Sequence, residues 1–198
     1  APNRMTLAIV GDIAPVKPAE MAEAYFGGIT RQPEPFQPRT IEPPQQGERR
    51  LVIEYDAEPR VILAWHVMAG LDADYPALLI LDDILTGGRS SRLNREIVEK
   101  KQLAASISGY TGVPGERFPG LYMMEAVPLA PHTTAEVEEA IYAEIESLKK
   151  EPVTADELKA AKTRYKRSFA DGLVNNLGQA SILAYNDATL GDWREGFR

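Results

Sequence analysis

The sequence predicts an α+β fold, in which a mixed and largely antiparallel sheet has its helices packed on one face. Three observations support this prediction. Short apolar or alternating runs come in pairs, amphipathic helical patterns also come in pairs, and clusters of Gly and Pro separate the segments. Strands and helices grouped in this way are typical of one sheet with one covered face. The predicted order is β-α-linker-β-β-α-α-β-β-α-α, in a single domain over residues 1–198.

The first third of the chain contains one predicted strand, one predicted helix and a connector. Residues 5–10 form a short apolar run that ends at a Gly-Asp turn signal, which predicts a buried strand. Residues 18–26 place apolar side chains on one helical face, and two glycines end that pattern. Residues 33–47 are rich in proline and poor in large apolar side chains, so they predict a semi-extended connector.

The middle of the chain begins with a predicted pair of strands and continues with a predicted pair of helices. Residues 51–55 and 60–67 are separated by a short break, which predicts an antiparallel hairpin. Residues 75–85 predict a strongly apolar helix that ends at two glycines. Residues 91–101 predict a second helix, with Ser91 as its cap.

The remaining part of the chain predicts two more strands, followed by two helices. The strands are predicted at residues 103–110 and 121–127, on either side of a loop with several Gly and Pro residues. Each helix begins with a capping-box signature, in which a Thr is followed three residues later by a Glu. The two pairs are Thr133 with Glu136 and Thr154 with Glu157.

Composition excludes several classes of function. The net charge is -7 and the isoelectric point is about 5.0, which argues against a nucleic-acid partner. Residues 159–167 form a basic cluster on a predicted helix, which we interpret as a solvated face. The chain contains no Cys, which excludes disulfides, thiolate zinc sites and cysteine catalysis. No apolar run approaches the roughly 20 residues of a membrane helix, so no membrane segment is predicted.

Residues capable of zinc catalysis are scarce. A catalytic zinc ion needs about three protein ligands around one open position. The chain has two histidines, His66 on a predicted strand and His132 in a predicted loop, and neither has a partner at ligand spacing. We expect His66 to be half-buried and His132 to be exposed, and we predict no metal site in this chain. Asp82 and Asp83 are adjacent on a predicted helix and therefore point about 100° apart.

Three stretches in sequence resemble the second domain of peptidases of the insulinase family (peptidase M16). Residues 87–93 read GGRSSRL, and they resemble the family pattern G-G-x-x-S-R-L, which is followed in the family by an Arg-Glu-Lys-rich helix. Residues 5–26 resemble the strand and helix that open this domain, and residues 61–85 resemble its middle. The residues that match the family motif are Gly87, Gly88, Ser91, Arg92 and Leu93.

The resemblance implies a clamshell built from repeated units, in which another unit carries the zinc motif His-x-x-Glu-His. In one half of the clamshell, the second unit supplies an Arg and a Tyr, seven residues apart, which bind the substrate and polarise its scissile carbonyl. The matching positions here are Val98 and Ala105, whose side chains donate no hydrogen bond. Arg95 and Tyr110 lie off the pattern. We therefore predict no catalytic residue in this chain and expect Val98 and Ala105 to be packing residues.

The function implied by this resemblance is that of a non-catalytic chamber and partner-interface domain of a zinc metallopeptidase. The chain is then a fragment of a longer protein that binds the zinc ion, and the fragment alone is expected to be inactive. The expected partners are a peptide or protein substrate and a second unit or subunit with the Arg/Tyr pair. Two alternatives remain, a scaffold subunit of the same family without peptidase activity and an unrelated α+β binding module. The resemblance favours an extracytoplasmic location in a bacterium.

Overall fold

The computed structural model describes residues 2–34 and 42–197 of the chain. It contains helices and three strands, and short 3₁₀ turns lie at Pro2–Arg4 and Glu195–Phe197. The elements in chain order are α1 (Val16–Phe26), β1 (Val61–Val67), α2 (Tyr75–Thr86), a π-helix (Asn94–Lys100), β2 (Ala104–Val113), β3 (Gly120–Pro128), α3 (Thr134–Lys150), α4 (Ala155–Gly172) and α5 (Asn176–Leu190).

The three strands form one antiparallel sheet in the order β1-β3-β2. Val61 lies opposite Ala126 at one end of the β1–β3 ladder, and Val67 lies opposite Gly120 at the other. The β2–β3 ladder begins with Ala104 opposite Pro128, and it is interrupted by a bulge near each end of β2. The α+β class and the antiparallel sheet predicted from the sequence are therefore confirmed.

The core lies between one face of this sheet and the helices. Side chains at alternate positions of β3 are buried, as the two-residue period of a strand requires. They pack with fully buried residues from the segment that precedes β2 and from α3. The largest fully buried side chains are those of Leu93, Ile97, Met124, Ile141 and Val137.

The predicted helix caps in the second half of the chain are confirmed. Thr133 accepts a hydrogen bond from the Glu136 backbone N–H, and Glu136 in turn accepts from the Thr133 backbone N–H at 2.7 Å. Thr154 and Glu157 repeat this arrangement at the start of α4. The helix α5 has no counterpart in the sequence prediction, because its apolar residues show little concentration on one face. Asn175 caps it by accepting a hydrogen bond from the Gly178 backbone N–H at 2.8 Å.

Two strand predictions are wrong. Residues 5–10 and 51–55 are extended or irregular in the structure, and neither segment forms a ladder. A strand needs a second strand to satisfy its backbone N–H and C=O groups, and an apolar sequence alone does not supply one. The side chains of Leu51 and Tyr55 are 82% and 85% exposed. The predicted hairpin between residues 51–55 and 60–67 is therefore absent.

The predicted connector lies only partly within the described residues. Residues 33–34 and 42–47 form no helix or strand and are exposed, whereas residues 35–41 lie outside the described part. The chain divides into two compact units. One comprises the described residues of Ala1–Leu7 and Asp12–Ala57, and the other those of Ala8–Gly11 and Glu58–Arg198. No helix of the described residues is long and apolar enough to cross a membrane.

Candidate functional site

The segment that resembles the family motif is a tight turn between α2 and the π-helix. The Gly87 N–H donates to the Asp83 carbonyl at 2.9 Å and ends α2. A Cβ atom at position 87 would collide with Asp83. Gly88 follows with a φ of 97°, a left-handed conformation that favours glycine. Both glycines are therefore explained by the geometry of this turn.

Ser91 closes the turn, but it is not the side-chain cap predicted from the sequence, because the N-cap of the π-helix is Leu93 and the Ser91 hydroxyl accepts from no backbone N–H of the described residues. Its hydroxyl donates to the Gly88 carbonyl at 2.7 Å, and its carbonyl accepts from the Arg95 N–H at 2.9 Å. The Asn94 amide donates to the Ser91 hydroxyl at 3.0 Å and to the Thr86 carbonyl at 3.2 Å. Ser91 is 2% exposed, so these bonds satisfy polar groups that have little access to water.

Arg92 joins this turn to the start of α4. Its Nε donates to Glu157 Oε1 at 2.8 Å, and a terminal guanidinium nitrogen donates to Oε2 at 2.9 Å. The same guanidinium donates to the Glu151 carbonyl at 3.4 Å. Two parallel bonds of this kind are the strongest form of an Arg–carboxylate pair. The Arg92 side chain is 10% exposed, so the pair is mostly shielded from water.

Glu157 has two roles in the same place, because it also caps α4. Its Oε2 accepts from the Thr154 backbone N–H at 2.9 Å while both of its oxygens contact Arg92. The hydrogen bond from Arg92 and that from Thr154 lower the pKa of Glu157 to about 2. The pKa of Arg92 is raised by the same contact. The carboxylate therefore stays charged, and the motif is tied to α4.

The positions that match the family Arg/Tyr pair lie in different environments. Val98 is on the π-helix and packs against the core, as expected. Ala105 is exposed and is the extra residue in the bulge between Ala104 and Ser106. The expectation that Ala105 is a packing residue is therefore wrong, because the bulge turns it away from the core. Neither side chain donates a hydrogen bond.

The opposite face of the sheet is the second candidate surface. We define the open sheet face by the outward side chains of Ile62, Ala64, His66, Tyr110, Met123 and Glu125. Paired residues of neighbouring strands lie on the same face, which places Tyr110, Met123 and Ala64 in one row. Ile62 and Tyr110 are 55% and 48% exposed. Arg60 pairs with Glu125 at the edge of this face. The open sheet face is thus an accessible surface of mixed apolar and polar character on a rigid sheet.

The two histidines are placed differently from the expectation. His66 is exposed on the open sheet face, because the strand alternation points it away from the core. His132 is half-buried beside Glu136, with Nδ1 3.4 Å from the carboxylate. Within residues 2–34 and 42–197, no three His, Asp or Glu side chains are grouped closely enough to hold a metal ion. The described residues therefore do not fit a zinc ion.

The adjacent carboxylates of α2 are separated, as predicted. Asp82 accepts from the Tyr122 hydroxyl at 2.9 Å and from Thr86, both inside the α2–sheet packing. Asp83 instead accepts hydrogen bonds from two guanidinium nitrogens of Arg164 of α4, the shortest at 2.7 Å. Both acids connect elements of the fold, and neither faces the other across a cleft.

A third polar cluster surrounds Glu116 in the β2–β3 loop and was not found from the sequence. The Tyr75 hydroxyl donates to its carboxylate at 2.8 Å, and the Gly70 N–H donates to its carbonyl at 2.7 Å. Burial, together with Glu116, raises the pKa of Tyr185. These residues come from distant parts of the chain, so no local pattern signals the cluster. It fixes the loop in place.

Comparisons with known proteins agree with this architecture. Residues 1–165 match the family described as the Peptidase M16 inactive domain. The zinc protease PqqE of Helicobacter pylori is 29% identical over 188 residues, which are 92% of this chain and 42% of that protein.

Solved structures of zinc-protease and peptidase domains also match this chain. The crystal structure of a protease from Helicobacter pylori matches with a TM-score of 0.81 and 27% identity, over 95% of this chain and 47% of that one. The inactive peptidase domain of a Bordetella parapertussis protein matches with a TM-score of 0.61 and 25% identity, over 74% of this chain and 79% of that one. The chain thus spans less than half the length of the two Helicobacter pylori proteins.

Proposed function

The chain belongs to the Peptidase M16 inactive-domain family, and on this basis we propose that it forms part of the chamber wall and of the partner interface in a zinc metallopeptidase. The observation that supports this role is the open sheet face. One face of the sheet is used by the core, whereas the other presents exposed side chains on a rigid backbone. Such a surface is suited to bind a polypeptide without taking part in its cleavage.

The composition of the open sheet face fits an extended polypeptide. Ile62, Met123 and Tyr110 offer apolar and aromatic contacts, which contribute most to binding at protein surfaces. The Arg60–Glu125 pair adds charged groups that can bind peptide polar atoms at the edge. The peptide or protein substrate of the parent protein is the ligand that we assign to this face.

The catalytic chemistry then belongs to other parts of the parent protein. A zinc ion would be held by another domain, since the described residues of this chain lack a group of three ligands. Polarisation of the scissile carbonyl would require the Arg/Tyr pair of a second domain or subunit, because Val98 and Ala105 carry no donor. This chain contributes binding and the contact with that second unit.

The experiment uses the full-length parent with the double substitution Ile62→Asp and Tyr110→Ala. Loss of two exposed contacts is expected to lower kcat/KM for a polypeptide substrate about tenfold, with unchanged zinc content and unchanged turnover of a short peptide. The matched control is Val52→Asp with Tyr55→Ala, which changes residues that are 79% and 85% exposed outside this face.

Three outcomes would contradict the proposal. Equal loss in the two double variants would remove the open sheet face as a specific surface. An unchanged kcat/KM in the first variant would show that substrate does not contact the face. A parent that binds no zinc and cleaves no peptide, yet assembles with partner subunits, would favour the scaffold alternative.

A further inference from the structure

The outward side of α4 carries three lysines without a partner. Lys159, Lys162 and Lys166 are exposed, and none of them forms an ion pair with any of the described residues. Their spacing of three and four residues places them on one side of the helix. They line a shallow groove of about 360 Å³. We call this surface the lysine face, and its other lining residues are Ala155, Leu158 and Thr163.

The remaining cations of α4 are paired, which separates them from the lysine face. Arg164 binds Asp83 of α2 at 2.7 Å, and Arg167 lies 3.6 Å from Asp171 one turn further along the same helix. On the inward side of α4, Ala161 is fully buried. The helix is therefore fixed by its inward side, while the lysine face remains accessible.

Three like charges on one helix side are unfavourable in the isolated chain. Cations at spacings of three and four residues repel each other, and none of the three lysines forms an ion pair with a carboxylate of the described residues, although Asp156 lies three residues before Lys159. The chain as a whole carries a net charge of -7, so the lysine face is a local exception to an acidic molecule. A negatively charged ligand would relieve the repulsion and gain charge complementarity.

We propose that the lysine face is a docking surface for an acidic segment of a partner polypeptide. The three lysines extend over roughly 10 Å of helix, which matches carboxylates at the same spacing on a partner helix. A duplex nucleic acid would require a larger basic surface than three lysines on an acidic chain. A membrane surface would require several large apolar side chains, and the lysine face offers Leu158.

The test measures the binding of a labelled synthetic helical peptide to the complete 198-residue chain by fluorescence anisotropy. The peptide carries Glu at positions i, i+3 and i+7 beside a Leu, and a second peptide carries Gln at those positions. In the variant, Lys159, Lys162 and Lys166 are each changed to Glu. The matched control variant changes three other exposed lysines to Glu, at Lys17, Lys101 and Lys150, and has the same net charge.

The Glu peptide is expected to bind the wild-type chain more weakly as salt rises, and the Gln peptide is expected not to bind. The lysine-face variant should lose about tenfold in affinity, whereas the control variant should stay within about twofold of wild type. Equal loss in both variants, or no binding of the Glu peptide, would overturn the proposal. Binding of duplex DNA or of phosphatidylglycerol vesicles in place of the peptide would also overturn it.

A stability measurement tests the premise independently of any ligand. The single change Lys162→Glu places a carboxylate three residues after Lys159 and four before Lys166, so it should raise the Tm of the isolated chain. A circular dichroism spectrum identical to that of wild type would show that the helix is retained. A fall in Tm would show that Lys162 forms a stabilising contact within the chain, and this would overturn the proposal.

Discussion

Each of the two compact units of this chain contains apolar segments, but these segments are buried in one unit and exposed in the other. In the unit that contains the sheet, Leu93 and Ile97 are fully buried and pack in one core. In the unit that contains residues 12–57, no described residue is buried, and Leu51 and Val52 are 82% and 79% exposed. An apolar sequence therefore gains its stabilising effect only where other elements cover it.

The exposed unit also shows that helices and strands depend on different hydrogen-bond partners. The helix α1 forms in the exposed unit although it buries no residue, because its backbone hydrogen bonds lie within the helix itself. Residues 51–55 have a strand-like sequence in the same unit, yet they lack the neighbouring strand that a ladder requires. A helix such as α1 therefore forms from local hydrogen bonds alone, whereas a strand also requires a partner from elsewhere in the chain.

The largest expected effect is the difference between a buried and an exposed leucine. Leu93→Ala should lower the free energy of unfolding by about 2–5 kcal/mol, because it leaves a cavity in the core. Leu51→Ala should change it by less than about 0.5 kcal/mol, since the side chain already contacts solvent. Denaturant unfolding of both variants measures this difference. Equal effects would show that residues 51–55 are packed in solution.

The next largest effect on the free energy of unfolding is expected from the ion pair between Arg92 of the family motif and Glu157 of α4. Arg92→Ala should lower the free energy of unfolding by roughly 1–3 kcal/mol, because it removes the two charge-assisted hydrogen bonds from an arginine that is 10% exposed. Arg95→Ala, at an exposed position on the π-helix, should lower the free energy of unfolding by less than about 1 kcal/mol. Arg92→Lys should recover little of the loss, since lysine cannot form two parallel bonds. An Arg92→Ala variant as stable as Arg95→Ala would contradict the proposed link.

Lowering the pH is expected to have an effect of similar size or smaller on the free energy of unfolding. The pKa of Glu157 is about 2 in the folded chain and about 4.5 ordinarily, so the folded state favours the charged form. Its contribution is complete well above about pH 4.5 and is lost as the pH falls towards 2, and it amounts to at most roughly 3 kcal/mol.

The control for this pH effect is a second carboxylate. Glu157→Gln should remove the part of the pH dependence of the unfolding free energy that Glu157 contributes, while other carboxylates with a lowered pKa, such as Glu96 and Glu136, still contribute theirs. Glu146→Gln, which removes an exposed pair with Lys149, should change it much less. A pH profile that is the same in wild type and in Glu157→Gln would show that the carboxylate gains no stability from Arg92.

Much of the unit that contains the sheet could be predicted from local sequence. The presence of β1 and β3, the glycine turn after α2 and the two capping boxes each depend on residues close together in the chain. Burial of Leu93 and Ile97 also follows from their helical spacing, and both are fully buried. These features need no knowledge of distant contacts.

Features that depend on distant residues could not be predicted. Glu157 has the signature of a helix cap, but its pairing with Arg92 joins positions 65 residues apart. The exposure of Ala105 depends on a bulge whose register is set by β3. The Glu116 cluster and the open sheet face likewise depend on how the elements pack together. The open sheet face and the Glu116 cluster are therefore visible only in three dimensions, whereas the lysines of α4 are already visible as a basic cluster at residues 159–167 of the sequence.

The division of chemistry within the parent protein is tested most directly by a mixing experiment. The half of the parent that contains the zinc motif and this domain is assayed on a polypeptide substrate, first alone and then with the half that carries the Arg/Tyr pair. We expect almost no turnover alone and an increase of at least about 100-fold on mixing, because the proposed role assigns the carbonyl-polarising donor to the second half alone. Full activity of the first half alone would contradict the account.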